Sequence, residues 1–137
     1  MSKMLPSLRR LGRSPMLRVV AILAMMWAGG IFTRAGEIQD LAGNGDLKKI
    51  KALVRKEPTL VTNLDDNGAT ALAAAAANGH LDVMEFLLKK KVEVNTRDND
   101  GMTPLHAAAS GGSAEAVALL LANQAEANAT NDAGRTP

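Results

Sequence analysis

Thr103-Pro104-Leu105-His106-Ala107-Ala108-Ala109 opens with a hydroxyl residue suited to capping a helix and a proline suited to the first helical position. Small and apolar residues follow. Thirty-three residues upstream, Thr70-Ala71-Leu72-Ala73-Ala74-Ala75-Ala76 has the same order. Laying 65–97 over 98–130 without a gap matches Gly68 with Gly101, Thr70 with Thr103, Leu72 with Leu105, Gly79 with Gly112, Leu87-Leu88 with Leu120-Leu121 and Asn95 with Asn128. The turn pattern restarts at Asn131-Asp132-Ala133-Gly134, so Gly68, Gly101 and Gly134 keep the 33-residue spacing twice. Ala75-Ala76 and Ala108-Ala109 are small where two helices must approach. Val83-Met84-Phe86-Leu87-Leu88 and Ala116-Val117-Leu119-Leu120-Leu121 form the apolar side of a second helix.

A worn earlier copy runs from Gly36 to Leu64, with Ile38, Leu41-Ala42, Asn44-Gly45, Ile50 and Leu53-Val54 on matching positions and one extra residue near Pro58. It has Gly36-Glu37 in place of Thr-Pro, so its first helix is expected to be short. Thr103-Pro104-Leu105-His106-Ala107-Ala108-Ala109, the trailing Leu119-Leu120-Leu121, Asn128 and the turn glycine together resemble the ankyrin-repeat signature, over about residues 36–137. The resemblance implies an all-α solenoid of stacked helix-turn-helix units joined by β-hairpin-like turns. Helix pairs are expected at about 38–54, 70–89 and 103–122. The expected division is 1–35 leader, 36–64 degenerate first repeat, 65–97 and 98–130 full repeats, and 131–137 the start of a further, incomplete repeat. One departure from the family stands out: the glycine expected after each second helix is Lys91 in one copy and Gln124 in the next, at a cost on the order of 1 kcal/mol each if φ is positive there.

The 137 residues suit one domain, and an aromatic content of 2% requires a core of Ala, Leu and Val. There are no cysteines, which excludes disulfides, thiolate metal sites and Cys nucleophiles. The net charge of +2 conceals a division. Residues 1–35 hold six Lys/Arg and no acid, while 36–137 hold ten Lys/Arg against fourteen Asp/Glu, a balance of −4. That acidic body, with Phe86 its one aromatic, lacks the basic stripe and stacking platform of a nucleic-acid binder.

Arg9, Arg10, Arg13 and Arg18 lead into an uncharged run from Val19 to Phe32, whose 14 residues fall short of the roughly 20 that span a bilayer. Small residues at its far end, Ala28-Gly29-Gly30 and Thr33-Arg34-Ala35, offer cleavage patterns. This is the form of a signal peptide with a separate helix around 17–32, and it predicts a periplasmic or secreted body. The alternatives are an uncleaved anchor, which would be the chain's only link to a membrane, an organelle transit peptide and a buried helix.

His80 and His106 both fall on repeat positions, between the helices and at a first-helix start, and are expected to bond neighbouring backbone. Asn63-Leu64-Asp65-Asp66-Asn67-Gly68 and Thr96-Arg97-Asp98-Asn99-Asp100-Gly101 resemble calcium loops but have Ala74 and Ala107 where a bidentate Glu belongs, so they read as tight turns. Ser110-Gly111-Gly112 and Gly43-Asn44-Gly45 read as inter-helix turns, since the Lys-Ser/Thr of a phosphate cradle is missing. Asn128-Ala129-Thr130 is a glycosylation sequon whose Asn recurs as Asn95 without one, which favours loop shaping. Lys89-Lys90-Lys91 reads as a solvated helix end rather than a binding patch. No catalytic set, metal or cofactor is expected.

The resemblance implies an exported protein-interaction module that captures a protein through turn tips and first-helix faces. It nominates Asp66, Asn67, Ala69, Arg97, Asn99, Asp100, Met102, Asp132, Ala133 and Arg135, with Ala77, Asn78 and Ser110 from the first helices. Met102 and Arg135 are expected to be exposed. The alternative is the N-terminal arm of a longer exported enzyme or redox protein, because the chain stops at Thr136-Pro137, inside the signature, as if truncated. On that view Ala116, Val117, Leu119 and Leu120 form an uncovered apolar face.

Overall fold

The computed structural model describes residues 36–137. The helix expected around 17–32 lies outside them. Six α-helices and one 3-10 helix occur among the described residues, with no strand: α1 (Glu37–Gly43), α2 (Leu47–Lys56), the 3-10 helix (Pro58–Thr62), α3 (Ala71–Ala77), α4 (Leu81–Lys89), α5 (Pro104–Gly111) and α6 (Ala114–Ala122). None of these helices is long and apolar enough to cross a membrane.

Local chemistry sets the starts. The Thr70 hydroxyl accepts from the Ala73 amide at 3.1 Å, Ser113 from Ala116 at 3.2 Å and the Asp46 carboxylate from Lys49 at 3.2 Å, each satisfying one amide that the first turn leaves open. Thr103 forms a capping box with His106, and Pro104 occupies the first helical position. The first helices end on left-handed glycines: Gly45, Gly79 and Gly112 have φ of 73°, 68° and 73°. At Gly45 a side chain is excluded twice over, since a Cβ there would also lie 2.7 Å from the His80 ring. Helices α4 and α6 end on the two non-glycine residues of positive φ among the described residues, Lys91 at 57° and Gln124 at 68°.

The first repeat leaves its second helix differently. Pro58 disfavours a helical residue before it, and Glu57 is extended (φ −140°, ψ 90°), so the chain passes into the 3-10 helix. The extra residue near Pro58 is accommodated there. Helix α1 is not short; its seven residues equal those of α3, although Gly36 provides no side-chain cap. Gln39 supplies an anchor instead. It stands in the register of His106 and donates from Nε2 to the carbonyls of Asn63 (2.7 Å) and Ala69 (3.3 Å) in the following turn.

The first helices stack on one another, α1 on α3 on α5, and each packs against its own second helix. One continuous core results, running from Ile38 through Ile50, Leu72, Val83, Met84 and Leu87 to Leu105 and Leu120. The alanines allow the approach: Ala71, Ala75, Ala76 and Ala108 are completely buried. Gly111 belongs to this packing as well as to a turn, being the last residue of α5 and lying against the Ala77 carbonyl. The outward face of the last pair differs from expectation. Ala116 and Leu120 are fully buried, whereas Val117 is half-buried and Leu121 is 43% exposed. Val117 and Leu121 correspond to Met84, which is fully buried, and Leu88, which is half-buried.

Candidate functional site

Each repeat projects a turn built on one residue. Asp65 Oδ1 accepts from the amides of Asn67 (2.8 Å) and Ala69 (2.9 Å), and Asp98 Oδ1 from those of Asp100 and Met102, both at 2.9 Å. Asn131 Oδ1 does the same for Ala133 (3.0 Å) and Arg135 (2.9 Å). Asp65 and Asp98, the first carboxylates of the calcium-like stretches, are thus occupied by their own turns. The tips are joined in series, the Asn99 amide donating to the Asn67 carbonyl at 2.9 Å and the Asp132 amide to the Asp100 carbonyl at 3.0 Å. Asn99 Nδ2 adds a bond to the Asp66 carbonyl at 3.3 Å.

The nominated residues divide by what already holds them. Asp66, Asn67, Asp100, Ser110, Asp132, Ala133 and Arg135 are exposed, and their side chains make no hydrogen bond or ion pair among the described residues. Arg97 is exposed but its guanidinium donates to the Thr130 carbonyl, and Asn78 Nδ2 is bonded to the Ala74 carbonyl at 3.2 Å. Ala69 and Ala77 are half-buried. Met102 is half-buried rather than exposed, because its sulfur accepts from Asn131 Nδ2 at 3.2 Å and it forms the floor of a cleft. That cleft, of about 380 Å³, brings Met102, Ser110 and Arg135 together. Ala109, Asn131 and His106 line it too, with Thr136 and Pro137, and none of the five was singled out from sequence as a groove residue; register alone places Ala109 one residue before Ser110 on the same helix.

Both histidines are bound to backbone. His80 Nε2 contacts the Gly43 carbonyl at 2.9 Å and His106 Nε2 the Arg135 carbonyl at 2.9 Å. A carbonyl can only accept, so Nε2 carries the proton in each. In His106 this leaves Nδ1 to accept from the Thr103 amide at 3.2 Å and the Thr103 hydroxyl at 2.9 Å. The ring therefore ties a helix start to the next turn and has no free nitrogen for chemistry. The site's free groups are three carboxylates, an arginine and the Asn67 amide on a braced row, with the Ser110 hydroxyl beside it. That set can recognise a polypeptide surface.

A further electrostatic feature lies on the second helices. Asp46 is held below the usual carboxylate range by its hydrogen bond from the Lys49 side chain and then by the Lys49 amide, and Lys49 is raised by the same partner. Their contact is 2.9 Å.

The family model for ankyrin repeats, in three copies, matches residues 38–133. Among curated proteins, the 26S proteasome non-ATPase regulatory subunit 10 of Rattus norvegicus is 42% identical over 56 residues, covering 41% of this chain and 24% of that protein. NAD-capped RNA hydrolase NUDT12 of Homo sapiens is 41% identical over 49 residues, covering 36% of this chain and 11% of that protein. The chain thus spans a quarter or less of the length of these relatives. With a 33-residue period, six stacked helices and a family match over well over half its length, the chain belongs to the ankyrin-repeat family.

Proposed function

We propose that residues 36–137 are an exported, non-enzymatic interaction module, divided at 64 and at 97, that binds a partner protein through the row of tips and the adjoining first-helix face. The row of free side chains on hydrogen-bonded tips supports this most directly: Asp66, Asp100, Asp132 and Arg135 are presented without a partner of their own. A rigid row loses little freedom on binding. Replacing Asp100 and Arg135 together is expected to weaken capture of the cognate protein at least tenfold, about 1.4 kcal/mol, with an unchanged melting temperature. A photo-crosslinker at Ala133 is expected to trap a protein that the same probe at Ala118, on α6, does not. Trapping from Ala118 alone would overturn the reading. Export is tested by fusing residues 1–40 to a reporter active only after translocation; a well-expressed but silent reporter would refute it.

A second reading makes the repeats an arm of a longer exported enzyme or redox protein. It draws support from the match to a short part of a hydrolase. The coding sequence downstream of Pro137 distinguishes the two.

A further inference from the structure

We infer that the outer face of the first two helix pairs docks on a bilayer that carries anionic phospholipid. Helix α2 holds Lys48, Lys49, Lys51, Arg55 and Lys56 without a single acid, and all five are exposed. Only Lys49 is ion-paired among the described residues, to the Asp46 cap. Read along the chain, Lys89-Lys90-Lys91 is a solvated end of another helix. In the fold the two groups meet: Lys51 and Lys90 stand over the same ring, Phe86, at 5.8 and 5.6 Å from its centroid. The aromatic joins the stripe on α2 to the end of α4 and holds two cations beside each other.

The charge along the stack follows the same division. Residues 47–56 carry five Lys/Arg and no acid, whereas residues 98–137 carry one Lys/Arg against five Asp/Glu. An anionic surface attracts the basic face of the first two pairs and repels the last. The contact is electrostatic, since the apolar residues of α2, Ile50 and Val54, are buried in the stack. A lipid surface fits better than a nucleic acid, because Phe86 is covered by ammonium groups and offers no face for a base. It fits better than an acidic protein because the stripe is mostly lysine and its apolar residues are buried, whereas protein interfaces are depleted of lysine and centre on exposed apolar anchors; headgroup charge needs neither. The basic stripe and the groove share no helix, so both can be occupied together.

The test uses the full chain and vesicles of phosphatidylcholine alone or mixed with phosphatidylglycerol. Partition to the mixed vesicles should exceed that to phosphatidylcholine at about 0.1 M salt, and the excess should vanish at about 1 M, where the screening length falls to roughly 3 Å. The variant Lys48→Gln, Lys51→Gln, Arg55→Gln, Lys90→Gln should lose at least about tenfold of the excess. Its melting temperature and its partition to phosphatidylcholine should stay as they are. If loss of the ring contacts unfolds it, Lys48→Gln with Arg55→Gln, which touch no ring, must still lower the excess. Three results would overturn the inference: equal partition to both vesicles, an excess abolished by Arg9→Gln, Arg10→Gln, Arg13→Gln, Arg18→Gln but untouched by the repeat variant, or capture by poly-glutamate without any vesicle excess.

Discussion

Lys91 and Gln124 hold a conformation that disfavours a side chain, and each does so where the chain leaves a second helix. Glycine there removes roughly 1–2 kcal/mol of strain and returns about 0.4–1 kcal/mol through the freer unfolded chain. Lys91→Gly and Gln124→Gly should each therefore raise stability by about 0.5–1 kcal/mol in urea melts, which makes them the simplest stabilising changes available. Gln39 has the opposite sensitivity. It is 4% exposed and its Nε2 serves two carbonyls, while its Oε1 is buried without a partner. Gln39→Leu should cost about 1 kcal/mol, from the Asn63 carbonyl left without its donor, since the Ala69 carbonyl keeps the Asp65 amide at 3.0 Å. The caps and the two missing glycines were legible in sequence because each depends on a residue and its near neighbours. The role of Gln39 was not, because its bonds run 24 and 30 residues ahead, although its alignment with His106 marks the position.

At the scale of the element, helix starts were readable to within a residue, since capping is local chemistry. Failure came where packing decides: Ser110-Gly111-Gly112 reads as a turn, yet Gly111 ends α5 against the Ala77 carbonyl, and a Cβ there would lie 2.1 Å from that oxygen. Alanine is the better helix former by about 1 kcal/mol, so propensity favours Gly111→Ala. The backbone contact reverses the sign, and the variant should lose about 2 kcal/mol or more in thermal melts. Helix α2 adds a pH dependence. The folded Asp46 carboxyl titrates below its unfolded value, so its cap contributes above the unfolded pKa and is lost as pH falls through the folded one. The difference in melting temperature between the wild type and Asp46→Asn should be present at pH 7, begin to shrink as pH falls towards about 4 and be lost only below the folded pKa.

At the scale of the molecule, the period alone yields the stack, because thirty-three residues that cannot bury an apolar face by themselves must stack on a copy. The groove was half legible. Repeat positions locate the tips, but which side chains stay free depends on bonds to the next repeat, such as Arg97 to Thr130, that no single repeat contains. Stability should be graded along the stack. Val117 and Leu121 are less covered than Met84 and Leu88, so amides of α6 are expected to exchange faster than those of α4 in hydrogen-exchange measurements. The tip-to-tip bonds carry a further consequence. Both join residues 32 apart, Asn67 to Asn99 and Asp100 to Asp132, so every tip offers its successor the same carbonyl that it takes from its predecessor. A gene duplication copying one whole period, wherever in the repeat it starts, would insert a unit that finds both neighbours' partners waiting. The row of tips therefore supplies the joint for each added copy, and a lengthened stack would keep its tips bonded from end to end.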